Sequence, residues 1–171
     1  MTILYNLSII QQRIFSKEEC EKILNLDYRL VTKDSDEANV YGNYPVKFLN
    51  DDTWVRNRIE TYLSIINEKH FGCQYQGLVD YIGIRTYNIG EEFDWHTDTL
   101  ITNRRLGVTI PLSLDCEGGD LEFFTGEKLK IKQEVGVGIV FPIIYHHRIT
   151  PVTKGSRSTL LTWTKGEELN W

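Results

Sequence analysis

An imidazole and a carboxylate stand two positions apart at His96 and Asp98, inside the segment Phe93-Asp94-Trp95-His96-Thr97-Asp98, and a histidine pair, His146-His147, follows far downstream. Two imidazoles and one carboxylate can cap one face of a non-haem Fe(II) and leave the opposite face open. Side chains two apart on an extended backbone leave from the same face, so His96 and Asp98 could be offered together to one ion. On its own, a His-x-Asp is also what a surface turn in an acidic chain would contain. The chain has 4 histidines, so a third ligand must be His70, His146 or His147. His70 falls at the predicted end of a helix, just before Gly72, where a cationic or hydrogen-bonding histidine is an ordinary terminator.

Further motifs stand around these residues in a fixed order. Tyr87 lies nine positions before His96, and Gly118-Gly119-Asp120-Leu121-Glu122-Phe123 and Phe141-Pro142 follow. His147 is then followed by Pro151-Val152 and by Arg157, ten positions on. From about Tyr81 to Trp163, roughly half the chain, this pattern resembles the Fe(II)/2-oxoglutarate-dependent dioxygenases, in particular the prolyl 4-hydroxylase-like branch. The resemblance implies a double-stranded β-helix (jelly-roll) core, with N-terminal helices packed on the major sheet. It implies Fe(II) held by His96, Asp98 and His147, with 2-oxoglutarate and O2 as co-substrates and ascorbate among the accessory cofactors. The metal histidine of the family lies four residues before the proline, which selects His147 over His146. Neighbouring side chains on a strand face opposite ways, which leaves His146 at the barrel rim or in a structural hydrogen bond.

By the same resemblance, Arg157 would pair with the distal carboxylate of 2-oxoglutarate through its planar fork, with Tyr87 and Thr159 adding hydroxyl contacts. The bland alternative is a surface arginine in the Lys154-Gly155-Ser156-Arg157 turn. Thr109 and Leu112 are candidates for the pocket wall, whereas Trp163 reads as core packing at the end of the last strand. The implied activity is hydroxylation of an aliphatic C–H with release of succinate and CO2. A prolyl residue in a peptide or protein is the leading substrate. A free amino acid or other small molecule is the runner-up, and a non-catalytic 2-oxoglutarate-sensing or binding module is the alternative of another class. A zinc hydrolase would use the same ligand types without accounting for Arg157. Asp98 speaks against a halogenase, since those relatives lack the carboxylate. Candidates for substrate contact are Arg85, Trp95, Arg104, Arg105 and Arg148, with the Tyr41 to Tyr44 stretch expected to close over the site. A peptide groove is expected along Thr99 to Arg105. No separate peptide-substrate domain is expected ahead of the catalytic region, unlike in the collagen-modifying members, which leaves collagen-like binding in doubt.

These residues need elements to carry them. Ser16 with Glu19 reads as a capping box opening a short helix whose apolar side is Cys20, Ile23 and Leu24. From about Asp52 to Lys69, Trp54, Val55, Ile59, Tyr62, Leu63 and Ile66 recur at helical intervals, and Gly72 follows as a stop. The stretch from Thr32 to Asn50 is polar and reads as a long loop, with a strand near Val46 to Leu49. After Gly77 the chain turns to short β-rich runs: Leu78 to Tyr87, Leu106 to Leu112, Asp120 to Phe124, Leu129 to Ile131, Gly138 to Phe141, His147 to Thr150 and Ser158 to Trp163. Their spacing predicts an antiparallel barrel or sandwich, in an α+β, mainly β domain, rather than alternating βα units. One domain is expected over 1–171, helical to about 76 and a β-helix core over about 77–166.

Bulk properties exclude several classes. With 19 basic and 24 acidic residues the net charge is -5, without a basic block that would track a phosphate backbone, so no nucleic-acid partner is indicated. No apolar run reaches the roughly 20 residues a membrane helix needs, and the N-terminus lacks a signal-peptide pattern. Cys20, Cys73 and Cys116 are odd in number and in no Cys-x-x-Cys pair, which fits a reducing interior and a cytoplasmic location.

Overall fold

The structure is a computed structural model that describes residues 9–31, 45–50, 53–101 and 103–167. Tyr41, the Tyr41 to Tyr44 stretch and Thr102 lie outside the described residues. The elements run β1 (Ile10–Arg13), α1 (Lys17–Leu24), β2 (Tyr28–Val31), β3 (Val46–Leu49), α2 (Thr53–Ile66), β4 (Gly83–Tyr87), β5 (Phe93–His96) and β6 (Arg104–Gly118). Then follow β7 (Leu121–Phe124), β8 (Lys128–Lys130), β9 (Val137–Pro142), β10 (His146–Ile149) and β11 (Val152–Lys165).

Two antiparallel sheets form the jelly roll. The major sheet has the order β1-β9-β6-β11-β4-β3-β2 and the minor sheet β5-β10-β7-β8. Among the described residues, α1 and α2 cover the outer face of the major sheet, as expected. The capping box at α1 is present: Ser16 Oγ accepts from the Glu19 N–H, and the Glu19 carboxylate accepts from the Ser16 N–H. Cys20 and Ile23 of α1 and Val55, Ile59, Leu63 and Ile66 of α2 are buried against Ile84, Ile110 and Leu160 of the sheet. Leu112 joins this helix-side cluster, so it does not line the pocket as expected. Alternation along β6 sends it to the opposite face.

The α2 segment ends differently from its prediction. After Ile66 the chain makes a π-helical turn over Asn67–Phe71, and Gly72 closes it in the left-handed region at φ 60°. The Asn67 side chain satisfies the widened backbone, donating to the Cys73 carbonyl and accepting from the Cys73 N–H.

Three strands have no counterpart in the sequence reading: β1, β2 and β5. The first two are only four residues long and mostly exposed, too short for a two-residue rhythm to stand out. Conversely, the run from Leu78 shortens to Gly83–Tyr87, with Leu78 making only a single bridge to Thr164. The last strand begins at Val152 rather than Ser158, because its polar first half pairs with the second half of β6. Between the two sheets lies a second core of Tyr87, Leu121, Phe123, Ile139, Phe141 and Ile149. That core walls the site described next.

Candidate metal centre

His96 and His147 are direct cross-strand partners where β5 pairs with β10, and their ring centroids are 4.2 Å apart. Three residues of β5 are spanned between the paired positions against two of β10, so a bulge sits next to the site. Such a bulge bends the strand and re-aims its side chains. Each imidazole is held from behind by the carbonyl two residues earlier. His96 Nδ1 lies 2.7 Å from Asp94 O and His147 Nδ1 lies 2.9 Å from Tyr145 O. Assigning the proton to Nδ1 in each ring lets it donate to a carbonyl and leaves both Nε2 lone pairs turned inward.

Asp98 follows β5 by two residues. Its backbone N–H donates to Ile143 O at 3.0 Å, and Oδ2 accepts a 2.8 Å hydrogen bond from the Trp163 indole Nε1. Asp98 Oδ1 lies 3.9 Å from His96 Nε2, and Oδ2 lies 3.7 Å from His147 Nε2. The three ligand atoms all fall within 4.8 Å of one another, the spacing a single ion would span. Burial, followed by the nearby His147, pushes the His96 pKa down to about 4, against the opposing pull of the Asp94 carbonyl and Asp98. The ring is therefore neutral at pH 7, the form that ligates a metal. Phe93 packs edge-on against His96 at 4.2 Å, and Phe141 against His147 at 4.8 Å.

A cavity of about 240 Å³ opens onto this group. On β11, Thr159, Leu161 and Trp163 line it at intervals of two, and Arg157 continues the same face inward. Arg157 is fully buried rather than a surface turn residue. It pairs with Tyr87 across the strands, and its guanidinium lies 5.8 Å from the Tyr87 ring centroid. One nitrogen, Nη1, donates to the Gly119 carbonyl, while Nε and Nη2 are buried without a partner. Burial lowers the pKa of this arginine from its ordinary value. Gly119, at φ 64°, makes room for it, since a Cβ there would stand 2.8 Å from Arg157 Cδ. Tyr87 and Thr159 are on the cavity wall, and Thr159 Oγ1 shares a 2.8 Å hydrogen bond with Thr109 Oγ1. Arg157 itself stands behind that wall.

The other candidates divide. Arg85 and Arg104 line the cavity. Trp95 does not: it packs against Phe124 on the outer side of the minor sheet, beneath the Arg148 guanidinium, which is itself paired with Glu122. Arg105 also turns away, lying against Gly166 and donating to the Arg104 carbonyl. Strand alternation accounts for both, since each neighbours a residue that faces in. His146 is exposed and His147 buried, the division expected from register. Trp163 is core packing as expected, clustered with Val79 and Ile143, and its indole N–H also holds Asp98. Counting by twos along β11 from Arg157 would have indicated its face.

Residues 82–165 match the model of the 2OG-Fe(II) oxygenase superfamily. The chain is similar to a PKHD-type hydroxylase of Idiomarina loihiensis, with 34% identity over 93 residues, 49% of this chain and 41% of that protein. It is also similar to a PKHD-type hydroxylase of Alteromonas mediterranea, with 37% identity over 67 residues, 39% of this chain and 30% of that protein. The matches thus span less than half the length of these curated relatives. Among solved structures, the viral collagen prolyl hydroxylase of Paramecium Bursaria Chlorella virus-1 in complex with 2OG superposes with a TM-score of 0.70. That match covers 94% of this chain and 96% of the other at 16% identity, a likeness of fold.

Proposed function

With residues 82–165 belonging to the 2OG-Fe(II) oxygenase superfamily, we propose that this chain is an Fe(II)- and 2-oxoglutarate-dependent dioxygenase that hydroxylates an aliphatic C–H, foremost that of a prolyl residue in a peptide or protein. The reaction balances as C–H, 2-oxoglutarate and O2 giving C–OH, succinate and CO2. One observation carries the reading: two imidazoles and a carboxylate converge within 4.8 Å at a cavity backed by a buried arginine with two unpartnered donors.

The donor set fits both implied groups. Two imidazole nitrogens and one carboxylate oxygen suit Fe(II) and leave positions open. An orphaned planar cation at the inner end suits the distal carboxylate of 2-oxoglutarate. His96 and His147 would hold the metal through Nε2, with each ring oriented by its Nδ1 hydrogen bond. Asp98 would supply the third ligand while Trp163 holds its Oδ2. Arg157 would take the carboxylate, with the Tyr87 and Thr159 hydroxyls beside it. When bound, Fe(II) supplies dioxygen activation coupled to the oxidative decarboxylation of 2-oxoglutarate. The chain's own task is to orient the ligands and keep water out, and Leu121, Phe141, Ile149 and Leu161 provide that apolar wall. The prolyl reading is supported by the similarity in fold to a collagen prolyl hydroxylase. All three cysteines are free, which supports a reducing compartment, the cytoplasm.

Anaerobic Fe(II) plus 2-oxoglutarate should give a visible charge-transfer band in the wild-type chain that is absent in His96→Ala and Asp98→Ala. Incubation with Fe(II), ascorbate and 2-oxoglutarate should release succinate and add one oxygen to a prolyl peptide by mass spectrometry. A folded wild-type chain that shows neither band nor succinate sinks the proposal.

A further inference from the structure

Building on the hydroxylase reading, we infer that the substrate carries a carboxylate close to the oxidised carbon, and that Arg104 recognises it. Arg104 opens β6, lines the cavity and is only 3% exposed. Its guanidinium stacks on the Trp163 ring at 3.6 Å from the centroid, and Nη2 donates to the Tyr81 hydroxyl. Nε is buried without a partner, and among the described residues no carboxylate lies within 4.0 Å of the group. An arginine stays charged at any working pH, so this is a desolvated cation held by a ring face and a neutral phenol. Those contacts orient a guanidinium, but they do not neutralise it. What the geometry lacks is an anion, and the cavity is where one can enter.

Neither anion of the proposed centre fills that need. Asp98 makes no ion pair with Arg104 within 4.0 Å: it takes the N–H at the edge of the indole whose face meets Arg104. The distal carboxylate of 2-oxoglutarate is the match for Arg157. Trp163, beneath Arg104, is six residues further along β11, about 20 Å at the usual rise per strand residue. One short dicarboxylate cannot satisfy both ends. Arg104 lines the same cavity as His96, Asp98 and His147, and Trp163 touches both Arg104 and Asp98, so a substrate held at Arg104 by a carboxylate lies in the cavity that opens onto the metal group. Arg85, 4% exposed on the same wall, adds a second positive charge to the cavity. The carboxylate could be the α-carboxylate of a free or C-terminal residue, or an acidic side chain next to the target.

The test compares ligands that differ only in charge. These are L-proline against L-prolinamide, N-acetyl-Glu-Pro-amide against N-acetyl-Gln-Pro-amide, and the other free amino acids against their amides. Binding is measured by calorimetry and by the shift of the Trp163 indole resonance, in the metal-free chain and again with Zn(II) and 2-oxoglutarate. The expected result is a preference of about tenfold or more for the acid in at least one pair, as a charge-assisted contact gives. Arg104→Met should abolish the preference, and Arg104→Lys should retain part of it, with melting curves confirming that each variant is folded. Discrimination in the free pairs identifies a terminal carboxylate, and in the Glu/Gln pair an acidic neighbour. Acid and amide binding within twofold in every pair, or not binding at all, overturns the inference without recourse to any variant. So does a folded Arg104→Met that keeps the preference. An acid preference without succinate release removes the hydroxylase reading and leaves the anion site standing, whereas succinate release without an acid preference does the reverse.

Discussion

Replacing Trp163 by Phe removes one hydrogen bond from the metal-binding carboxylate and leaves an aromatic face under Arg104. The bond lost is the 2.8 Å contact from Nε1 to Asp98 Oδ2. A neutral donor to an ionised acceptor contributes about 1.5–3 kcal/mol, which corresponds to roughly 10- to 150-fold in an equilibrium constant. Water can replace little of it, because Trp163 is 8% exposed and the Asp98 side chain 11%. Freed of the indole, Oδ2 can swing within its 3.7 Å approach to His147 Nε2, so the carboxylate enters the metal site in a mixture of orientations. Losing an outer partner of a ligand typically weakens metal binding by about 10- to 100-fold, which agrees with the range from the hydrogen bond alone. Anaerobic competition titration of Fe(II) or Zn(II) against a chromophoric chelator at pH 7 should show this weakening in Trp163→Phe. The packing cost of the smaller ring is common to the metal-free and metal-bound states and cancels, as does the part of the hydrogen bond that metal-free Asp98 already makes, so the range from the hydrogen bond is an upper limit and the weakening reflects the lost orientation of the carboxylate. A dissociation constant unchanged within twofold, in a variant with wild-type circular dichroism, would refute the idea that the indole orients Asp98.

The same titration should find metal binding lost in His147→Ala and little altered in His146→Ala, because only the first side chain is buried at the site. Arg157→Met should remove the thermal stabilisation given by 2-oxoglutarate while leaving the ligand-free melting temperature level or raised, since a buried cation with two unpartnered donors is replaced by an apolar chain; scanning calorimetry with and without 2-oxoglutarate decides it. In Gly107→Ala the new Cβ would meet Phe141 Cζ at 2.7 Å and Asp98 Oδ2 at 3.3 Å, so the ring packed on His147 must shift and metal affinity should fall in a chain that still folds; binding titration alongside melting checks both halves. For pH, an unfolded His96 takes its proton near 6.5, whereas the folded one does so only near 4. Across that window the unfolded state binds more protons, so metal-free stability should fall as pH drops from about 6.5 towards 4, by up to about 1.4 kcal/mol per unit from this group. Urea midpoints across the window that stay level in wild type, or that fall as steeply in His96→Gln, would contradict it.

What could be read from sequence and what could not separate along one line: local chemistry against long-range pairing. Ser16 and Glu19 announce a helix start because both hydrogen bonds close within four residues. His147 could be separated from His146 because strand alternation acts on neighbours, and the exposed and buried pair bears it out. Strand β5 gave no such signal, since its bulge breaks the two-residue rhythm and its pairing lies entirely with β10, some fifty residues away. Arg104 and Arg105 looked alike for the same reason: only the pairing of β6 with β11, Arg104 opposite Lys165, decides which of them faces Trp163.

That pairing also explains why so much of the site hangs on one strand. The cavity-side face of β11 carries Arg157, Thr159, Leu161 and Trp163, so its pitch sets the spacing between the inner arginine and the indole that holds Asp98. A one-residue slip of β11 would turn that whole face to the helices and send Ser158, Leu160 and Thr162 inward, losing both ends of the site at once. The bulges along the β6 pairing, between Ser158 and Thr159 and again after Trp163, adjust twist without such a slip, because the face is restored on either side of each. A substitution that strengthens β11 pairing should therefore leave the site intact, whereas a single-residue insertion between Arg157 and Trp163 should cost both metal and 2-oxoglutarate binding together. Loss of one without the other, measured by the two titrations above, would show that the ends are positioned independently.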